Sequence, residues 1–154
     1  MSTTTLDAAA IKFLETHHSA AMTTLRRDGT PHAVRIGVAL VDGKIWSSST
    51  QTRARTRFLR RDPRSTLFVF DGEWRWLTAE CRVNILEGAD VPRQSLRLFE
   101  VMQAGMRTSE GKVLWYGQER TVDEFLRLMV EEQRLIYEFE VEKVYGMYAE
   151  MPGG

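Results

Sequence analysis

The sequence predicts a mainly β fold with added helices (α+β), organised as a six-stranded antiparallel barrel. Three Asp-Gly pairs, which favour the tight turns of antiparallel hairpins, begin at Asp28, Asp42 and Asp71. Apolar and polar side chains alternate in several segments beside these turns, which is the period of a strand with one buried face. Strands joined mostly as hairpins favour an antiparallel barrel over a parallel doubly wound sheet.

Composition indicates one domain that spans residues 1–154, and it narrows the classes of function. Basic and acidic residues number 21 each. A general nucleic-acid binder carries a basic excess, so no nucleic-acid partner is expected. The single cysteine excludes an internal disulfide and a cysteine-based zinc site. The sequence shows no signal peptide and no membrane-spanning apolar run, so the expected location is cytoplasmic, without a membrane partner.

The first half of the chain is predicted to contain four strands and two helices. They are a helix over 6–17, strands over 19–26, 32–41 and 44–50, a helix over 53–61 and a strand over 65–71. Asp7 can cap the first helix, and Ile11 and Leu14 give it an apolar stripe. The second helix is predicted to end before Pro63, because the residue that precedes a proline disfavours helical backbone. The strand over 65–71 is nearly all apolar, as is typical of a strand buried on both faces.

The second half is predicted to contain two strands separated by a helical insertion. Segment 73–87 alternates in polarity and is predicted to be the longest strand. The insertion consists of a helix over 92–105, a glycine-punctuated mobile loop over 105–120 and a helix over 121–134. The last strand, over 135–148, alternates again.

A basic segment between Ser47 and Ser65 carries the clearest functional signal. Six arginines lie within a dozen positions, namely Arg53, Arg55, Arg57, Arg60, Arg61 and Arg64. A helix capped by Thr52 would leave free N–H groups and a positive dipole end beside the first arginines, which predicts an anion cradle for phosphate. The alternative is a solvated helix face whose arginines pair with the acidic C-terminal strand. Helical spacing puts Arg55 on a different face from Arg53 and Arg57, so the six cannot all contact one phosphate.

Two tryptophans, Trp74 and Trp76, lie two residues apart on the predicted strand 73–87, so their rings should project from the same face. Such a pair can stack on a flat aromatic ligand or pack against a facing subunit. The two uses are compatible if the ligand lies at a dimer interface.

Other kinds of site have little support. The three histidines lack the helical spacing of paired metal ligands, so no metal site is expected. Cys81 falls on an apolar face and is interpreted as a buried small hydrophobe, not a nucleophile. The glycine-rich fingerprint of Rossmann enzymes and the G-x-S-x-G motif of serine hydrolases are both missing from the sequence.

Four segments, 20–38, 47–64, 74–80 and 142–147, together resemble a known family. Their order and spacing are similar to the split β-barrel, FMN-binding family of pyridoxamine phosphate oxidase-like flavoproteins. The run R-A-R-T-R-F-L-R-R-D-P-R, which begins at Arg53, resembles most closely the branch that uses coenzyme F420, a deazaflavin, in place of FMN.

The resemblance implies a homodimer with two equivalent cofactor sites at its interface. It also implies eight cofactor-binding residues, which are Ser48, Arg53, Ala54, Arg55, Thr56, Arg57, Trp74 and Trp76. The first six would lie around the cofactor phosphate, and the two tryptophans match aromatic positions near the deazaflavin cleft. No obligatory catalytic side chain can be transferred from the family, so none is assigned.

The function expected from this resemblance is that of an F420H2-dependent reductase. Such an enzyme transfers a hydride from the reduced deazaflavin to an electron-poor small-molecule acceptor such as an enone, a quinone or a tetrapyrrole. The alternatives are an FMN-dependent oxidase or reductase of the same fold, and a non-catalytic cofactor- or haem-binding protein. The polyglutamate tail of coenzyme F420 would use more arginines than a single phosphate needs. The loop 105–120, with Trp115 and Tyr116, is expected to border the acceptor pocket.

Overall fold

The structure, a computed structural model, describes residues 5–150. In chain order its elements are α1 (Ala8–Thr16), β1 (Ser19–Leu25), β2 (Pro31–Gly37), β3 (Ala39–Val41), β4 (Lys44–Thr50), α2 (Ala54–Arg61), β5 (Arg64–Phe70), β6 (Trp76–Leu86), α3 (Val91–Met102), β7 (Lys112–Trp115), β8 (Gln118–Thr121), α4 (Val122–Glu131) and β9 (Arg134–Met147). One antiparallel sheet has the strand order β2-β1-β5-β6-β9-β4-β3, and β7 pairs with β8 in a separate hairpin. The predicted mainly β barrel fold is confirmed, with seven strands in the main sheet instead of six.

The seventh strand arises because the predicted strand 32–41 divides in two. β2 pairs with β1 at one edge of the sheet, whereas β3 pairs with β4 at the other edge. Val38 lies between them, and its buried N–H donates to the carbonyl oxygen of His18 at 2.8 Å. A sheet whose two edges are formed by one short chain segment has to curl, which brings its open edges together.

The concave face of the sheet encloses the main hydrophobic core. Met22, Leu67, Leu77 and Tyr137 are at most 1% exposed there. α1 packs its apolar stripe onto this core through Phe13 and Leu14, and the predicted cap is confirmed because the Asp7 carboxylate accepts from the Ala10 N–H at 2.8 Å.

β5 is buried on one face only, so the prediction of a strand buried on both faces is wrong. Ser65, Leu67 and Val69 are buried, but Phe68 and Phe70 are 39% and 55% exposed. An apolar sequence does not say whether each face is covered by the same chain, and the outer aromatic side chains of β5 have no cover within residues 5–150.

β9 is the longest strand of the described residues, with 14 residues that pair with both β4 and β6. The prediction that 73–87 forms the longest strand is wrong, because β6 begins only at Trp76. The side chain of Asp71 explains the late start. Its carboxylate accepts from the N–H groups of Glu73 and Arg75 at 2.9 and 3.0 Å, which holds this stretch in a turn.

The insertion between β6 and β9 has a small core of its own. Its buried side chains are Val113, Trp115, Phe125 and Met129. The predicted loop 105–120 is partly wrong, because its second half forms the β7–β8 hairpin. Trp115 is only 7% exposed. Packing against α3 and α4 therefore orders a segment whose glycines had suggested mobility.

Candidate functional site

The anion cradle predicted from the arginines lies where β4 ends and α2 begins. The N-cap of α2 is Arg53, and no side chain caps the helix. The predicted cap by Thr52 is wrong, since its hydroxyl lies 3.3 Å from the hydroxyl of Thr50. The uncapped N-terminus leaves the first N–H groups of α2, those of Ala54 and Arg55, facing outward with the positive end of the helix dipole.

Polar atoms without partners mark one side of this cradle. The hydroxyl of Ser48 and the Nε of Arg55 are buried and form no hydrogen bond with any residue in the range 5–150. They are two of nine buried side-chain polar atoms that have no partner among residues 5–150. Buried polar groups in native proteins almost always have a partner, and these two lie on either side of the start of an uncapped, positively charged helix, where an anion would supply one. The donors fit a phosphate, because an arginine, a hydroxyl and helix N–H groups all donate hydrogen bonds to its oxygens.

Arg55 is the most enclosed arginine of the cradle. Its guanidinium lies 6.0 Å from the ring centroid of Tyr137. Burial lowers the pKa of Arg55 from its ordinary value; Tyr137 opposes this change, while the neighbouring charges of Arg53 and Arg134 add to it. An arginine stays protonated in proteins despite such a shift, so the cradle holds uncompensated positive charge.

Thr56 lies beneath the cradle and not on its surface. Its side chain is fully buried, its hydroxyl donates to the carbonyl oxygen of Thr50 at 2.8 Å, and the same hydroxyl contacts the hydroxyl of Tyr137. These contacts fasten α2 to β4 and β9. Thr56 therefore positions the cradle, and its role as a direct cofactor ligand stays a prediction.

The remaining arginines divide into two groups. Arg57, like Arg53, is exposed and forms no side-chain hydrogen bond within residues 5–150. Arg60 contacts Glu87 at 3.0 Å, Arg61 donates to the carbonyl oxygen of Leu25 at 2.6 Å, and Arg64 contacts Asp62 at 2.8 Å. The predicted alternative of pairing with the C-terminal strand does not occur for Arg60, whose partner follows β6.

Trp74 and Trp76 were predicted to project from the same face of one strand, and this prediction is wrong. Trp74 lies in the turn before β6 and is 46% exposed, whereas Trp76 is the first residue of β6. Trp76 instead joins an aromatic face on the outside of the sheet, defined by Phe68, Phe70, Trp76, Tyr145 and Met147. Successive ring centroids on this face are 5.3, 5.7 and 6.4 Å apart.

The cradle and the aromatic face lie at opposite ends of β9. Ser48 pairs with Ile136, and Trp76 pairs with Met147. These β9 positions are eleven residues apart, which corresponds to roughly 35 Å of extended strand. The structure therefore places Ser48, on β4, and Arg53, Ala54 and Arg55, at the start of α2, far from Trp76 within one protomer.

A pocket of about 250 Å³ adjoins the cradle and includes residues that the sequence analysis missed. It is lined by Gly37, Ser48, Phe99, Met102, Trp115, Tyr116 and Arg134. Arg134 was not predicted, because only strand pairing places it opposite Thr50 at the end of β4. Trp115 and Tyr116 had been noted in the loop, but nothing in the sequence placed them beside Ser48.

Cys81 has the properties of a buried hydrophobe. It is 3% exposed, and burial, aided by Glu142 and Glu80, raises the pKa of its thiol to about 12. We expect iodoacetamide at pH 8 to alkylate the native protein at least ~100-fold more slowly than the denatured protein, because only the thiolate reacts. Mass spectrometry of timed samples measures both rates. Equal rates would show that the thiol is accessible and ionised.

Residues 5–150 contain neither a metal-binding cluster nor a membrane-spanning helix. No group of three or more histidine, cysteine, aspartate or glutamate side chains is placed there to hold a metal ion. Nor does any helix in that range have the length and apolar character needed to cross a membrane.

Comparison with known proteins identifies the family. A sequence model described as pyridoxamine 5'-phosphate oxidase matches residues 6–148. The chain belongs to the pyridoxamine 5'-phosphate oxidase family. The predicted family resemblance is thereby confirmed, and both the anion cradle and the insertion pocket lie within the matched range.

One curated relative and two solved structures are similar to this chain. An F420H(2)-dependent biliverdin reductase of Mycobacterium tuberculosis is 34% identical in an alignment of 97 residues that covers 61% of this chain and 69% of the relative. A conserved hypothetical protein of the same organism superposes with a TM-score of 0.72 at 20% identity, covering 99% of this chain and 94% of that one. A protein described as an F420 reductase superposes with a TM-score of 0.63 at 18% identity, covering 87% and 94%. At such low identities the two solved structures show the shared fold alone.

Proposed function

We propose that this protein is an F420H2-dependent reductase that delivers a hydride to an electron-poor organic acceptor. The observation that carries the proposal is the uncapped start of α2, where the Nε of the partly buried Arg55 has no partner among residues 5–150, preceded on β4 by the unpartnered hydroxyl of Ser48. The 34% identical relative, named as an F420H(2)-dependent enzyme, supports the choice of cofactor.

Different residues of the cradle bind different parts of the cofactor. Ser48, Arg55 and the first N–H groups of α2 hold the cofactor phosphate, because a hydroxyl, an arginine and helix N–H groups all donate hydrogen bonds to phosphate oxygens. Arg53 and Arg57 are exposed at the rim and interact with the acidic tail that follows the phosphate. The bound deazaflavin supplies the hydride, while the protein binds and orients it and excludes water from the site.

A homodimer completes the site in this proposal. Exposed apolar residues that stand alone are common on protein surfaces, but those of the aromatic face lie side by side. A contiguous apolar surface of this kind is typical of an interaction site. The separation of the cradle from this face within one protomer supports a second copy as its cover, because two protomers can join the cradle of one to the aromatic rings of the other. The predicted roles of Trp74 and Trp76 near the deazaflavin depend on that assembly.

Replacing Phe68 with glutamate is expected to weaken the dimer by about 100-fold or more, since a carboxylate would be buried against apolar rings. Analytical ultracentrifugation over a dilution series measures the change. Val130→Glu is a matched control, because Val130 is 67% exposed on α4, outside the aromatic face. A Phe68→Glu protein that dimerises like the control would place the interface elsewhere.

The acceptor is proposed to enter beside the insertion, where Trp115 and Tyr116 border the pocket next to Ser48. Enones, quinones and tetrapyrroles are the acceptor classes to test. The relative's named substrate makes biliverdin the first tetrapyrrole to assay.

Titration of the apo-protein with coenzyme F420 and with FMN, side by side, tests the proposal. Quenching of tryptophan fluorescence reports binding, and formation of oxidised F420 from F420H2 in the presence of an acceptor panel reports turnover. Micromolar binding of coenzyme F420 with turnover is the expected result. Binding of FMN alone would indicate a flavin enzyme, and saturable F420 binding without any turnover would indicate a carrier or storage protein.

A further inference from the structure

The pocket between β4 and the insertion has a cationic end that the phosphate cradle does not use. Arg134 forms this end, and its side chain is only 8% exposed. Its Nε and Nη2 donate to the carboxylate of Glu132 at 3.0 and 2.7 Å, and the guanidinium stacks on Trp115 with 4.7 Å to the ring centroid. Nη1 forms no hydrogen bond with any residue from 5 to 150. The guanidinium is therefore held in place with donor capacity left over.

The charges around Arg134 do not balance. Arg53 and Arg55 lie near enough to affect one another electrostatically, and Arg134 acts on Arg55 as well. Among residues 5–150, Glu132 is the one carboxylate in contact with Arg134. A partly buried group of cations with a single anionic partner attracts a further anion.

The backbone of the β7–β8 turn, which borders the pocket beside Arg134, is strained. Tyr116 and Gly117 are the two central residues of the β7–β8 turn, with φ values of 50° and 76°. This turn type favours asparagine followed by glycine, and a bulky residue in the first position is uncommon. The Tyr116 hydroxyl accepts from Nη2 of Arg134 at 3.4 Å, although the residue is 77% exposed. Backbone strain at Tyr116, whose side chain contacts the enclosed cation Arg134, indicates a functional constraint.

The shape of the pocket limits what it can hold. Its walls are the apolar surfaces of Phe99, Met102 and Trp115, and its polar groups are the Ser48 hydroxyl and the guanidinium of Arg134. A volume of about 250 Å³ accommodates part of a ligand and not a whole drug-sized molecule. One flat ring or short chain that ends in an anionic group matches both the walls and the charge.

We propose that this pocket is a carboxylate subsite in which Arg134 binds the carboxylate and Tyr116 closes the outer wall. The inference rests on the proposed function, which supplies two sources for that group. One source is a carboxylate of the acceptor, and the other is a carboxylate of the cofactor's glutamate tail. Arg134 is a binding residue in either case, and the hydride step needs no group from it.

Arg134→Gln tests the subsite with two pairs of probes. The acceptor pair is biliverdin and its dimethyl ester, and the cofactor pair is coenzyme F420 with its glutamate tail and the same molecule without glutamates. Dissociation constants come from fluorescence titration of the dimer without hydride donor, so no turnover is needed. We expect one carboxylate probe to lose about 10- to 100-fold in affinity while its uncharged or tail-free counterpart changes less than about threefold.

The matched control is Arg75→Gln. Arg75 has the same kind of surroundings, with a carboxylate partner in Asp71 at 3.0 Å and an aromatic ring, Phe13, at 5.5 Å, but it lines a different cavity. The subsite would be overturned if Arg134→Gln lowered the affinity equally for both members of each pair. It would also be overturned if Arg75→Gln lowered the affinities by the same factors. Failure of wild-type protein to bind coenzyme F420 would instead overturn the proposed function, and the biliverdin pair would still test Arg134.

Tyr116→Asn tests the strained wall by a change that a purely structural role would not produce. Asparagine suits the turn, so the melting temperature should rise by about 2–4 °C, while the affinity for the preferred carboxylate probe falls by about 3- to 10-fold. Asp42→Asn, in the equivalent turn before Gly43, is the control and should alter neither quantity appreciably. Unchanged probe affinity in Tyr116→Asn would show that Tyr116 does not close the subsite.

Discussion

Replacement of Arg55 by alanine is expected to weaken cofactor binding by about 1.5–3 kcal/mol, or roughly 10- to 150-fold in Kd. Arg55 is partly enclosed by the ring of Tyr137, and its Nε has no partner among the described residues. A charge-assisted hydrogen bond to phosphate at such a site is stronger than one in open solvent. Isothermal titration calorimetry with coenzyme F420 measures the loss.

Arg64→Ala is the control for Arg55→Ala. Arg64 belongs to the same basic segment, but it is exposed and its guanidinium contacts Asp62 at 2.8 Å. We expect the control to lose less than about twofold in affinity, because exposed ion pairs contribute little. Comparable losses in both variants would mean that the cofactor responds only to the overall charge of the segment. An unchanged Kd in Arg55→Ala would move the phosphate away from α2.

Gly146→Ala is expected to lower the free energy of unfolding by about 2–3 kcal/mol and the melting temperature by about 5–10 °C. Gly146 has φ +147°, and a Cβ there would lie 2.4 Å from the carbonyl oxygen of Trp76 on the neighbouring strand. The contacted atom belongs to the backbone of a paired strand, so it cannot rotate away. Thermal and urea unfolding followed by circular dichroism measure the change.

Gly88→Ala separates backbone strain from the steric clash. Gly88 also has a positive φ, +108°, but nothing lies within 4 Å of a Cβ built there. The control should therefore lose only about 1 kcal/mol, the cost of an unfavourable backbone conformation. A Gly146→Ala protein no less stable than the control would show that β6 and β9 can separate locally to admit the methyl group.

Local signals in the sequence were sufficient for most of the elements. The Asp-Gly turns at Asp28 and Asp42 join hairpins in the structure, and Asp7 caps α1 as its position predicts. These features depend on residues only a few positions apart, so their physical cause is visible in the chain itself. Errors appeared where a distant contact decides the outcome. The ordering of the β7–β8 hairpin depends on burial of Trp115 against Phe125, which lies on another element.

In the candidate site, too, local features could be predicted from the sequence and features that depend on distant contacts could not. The arginine segment was recognisable because Arg53 and Arg55 lie beside a predicted helix start. The sequence did not reveal that Arg53 is the N-cap of α2 or that the hydroxyl of Thr56 already has partners. Both depend on how α2 packs against Thr50 and Tyr137. Alternation alone had put Trp74 and Trp76 on one strand face, whereas the carboxylate of Asp71 holds Trp74 in a turn.

The amino-acid sequence by itself determined the β-rich architecture and the family and predicted an anion cradle, because turn residues, alternation and local charge act over short stretches of chain. Only the tertiary structure decided that β2 and β3 close opposite edges of one sheet, and that Arg134 and the insertion stand beside Ser48. It also decided that the cradle and the aromatic face lie at opposite ends of β9. Strand pairing sets these positions, and pairing between residues more than eighty positions apart leaves no local mark in a sequence.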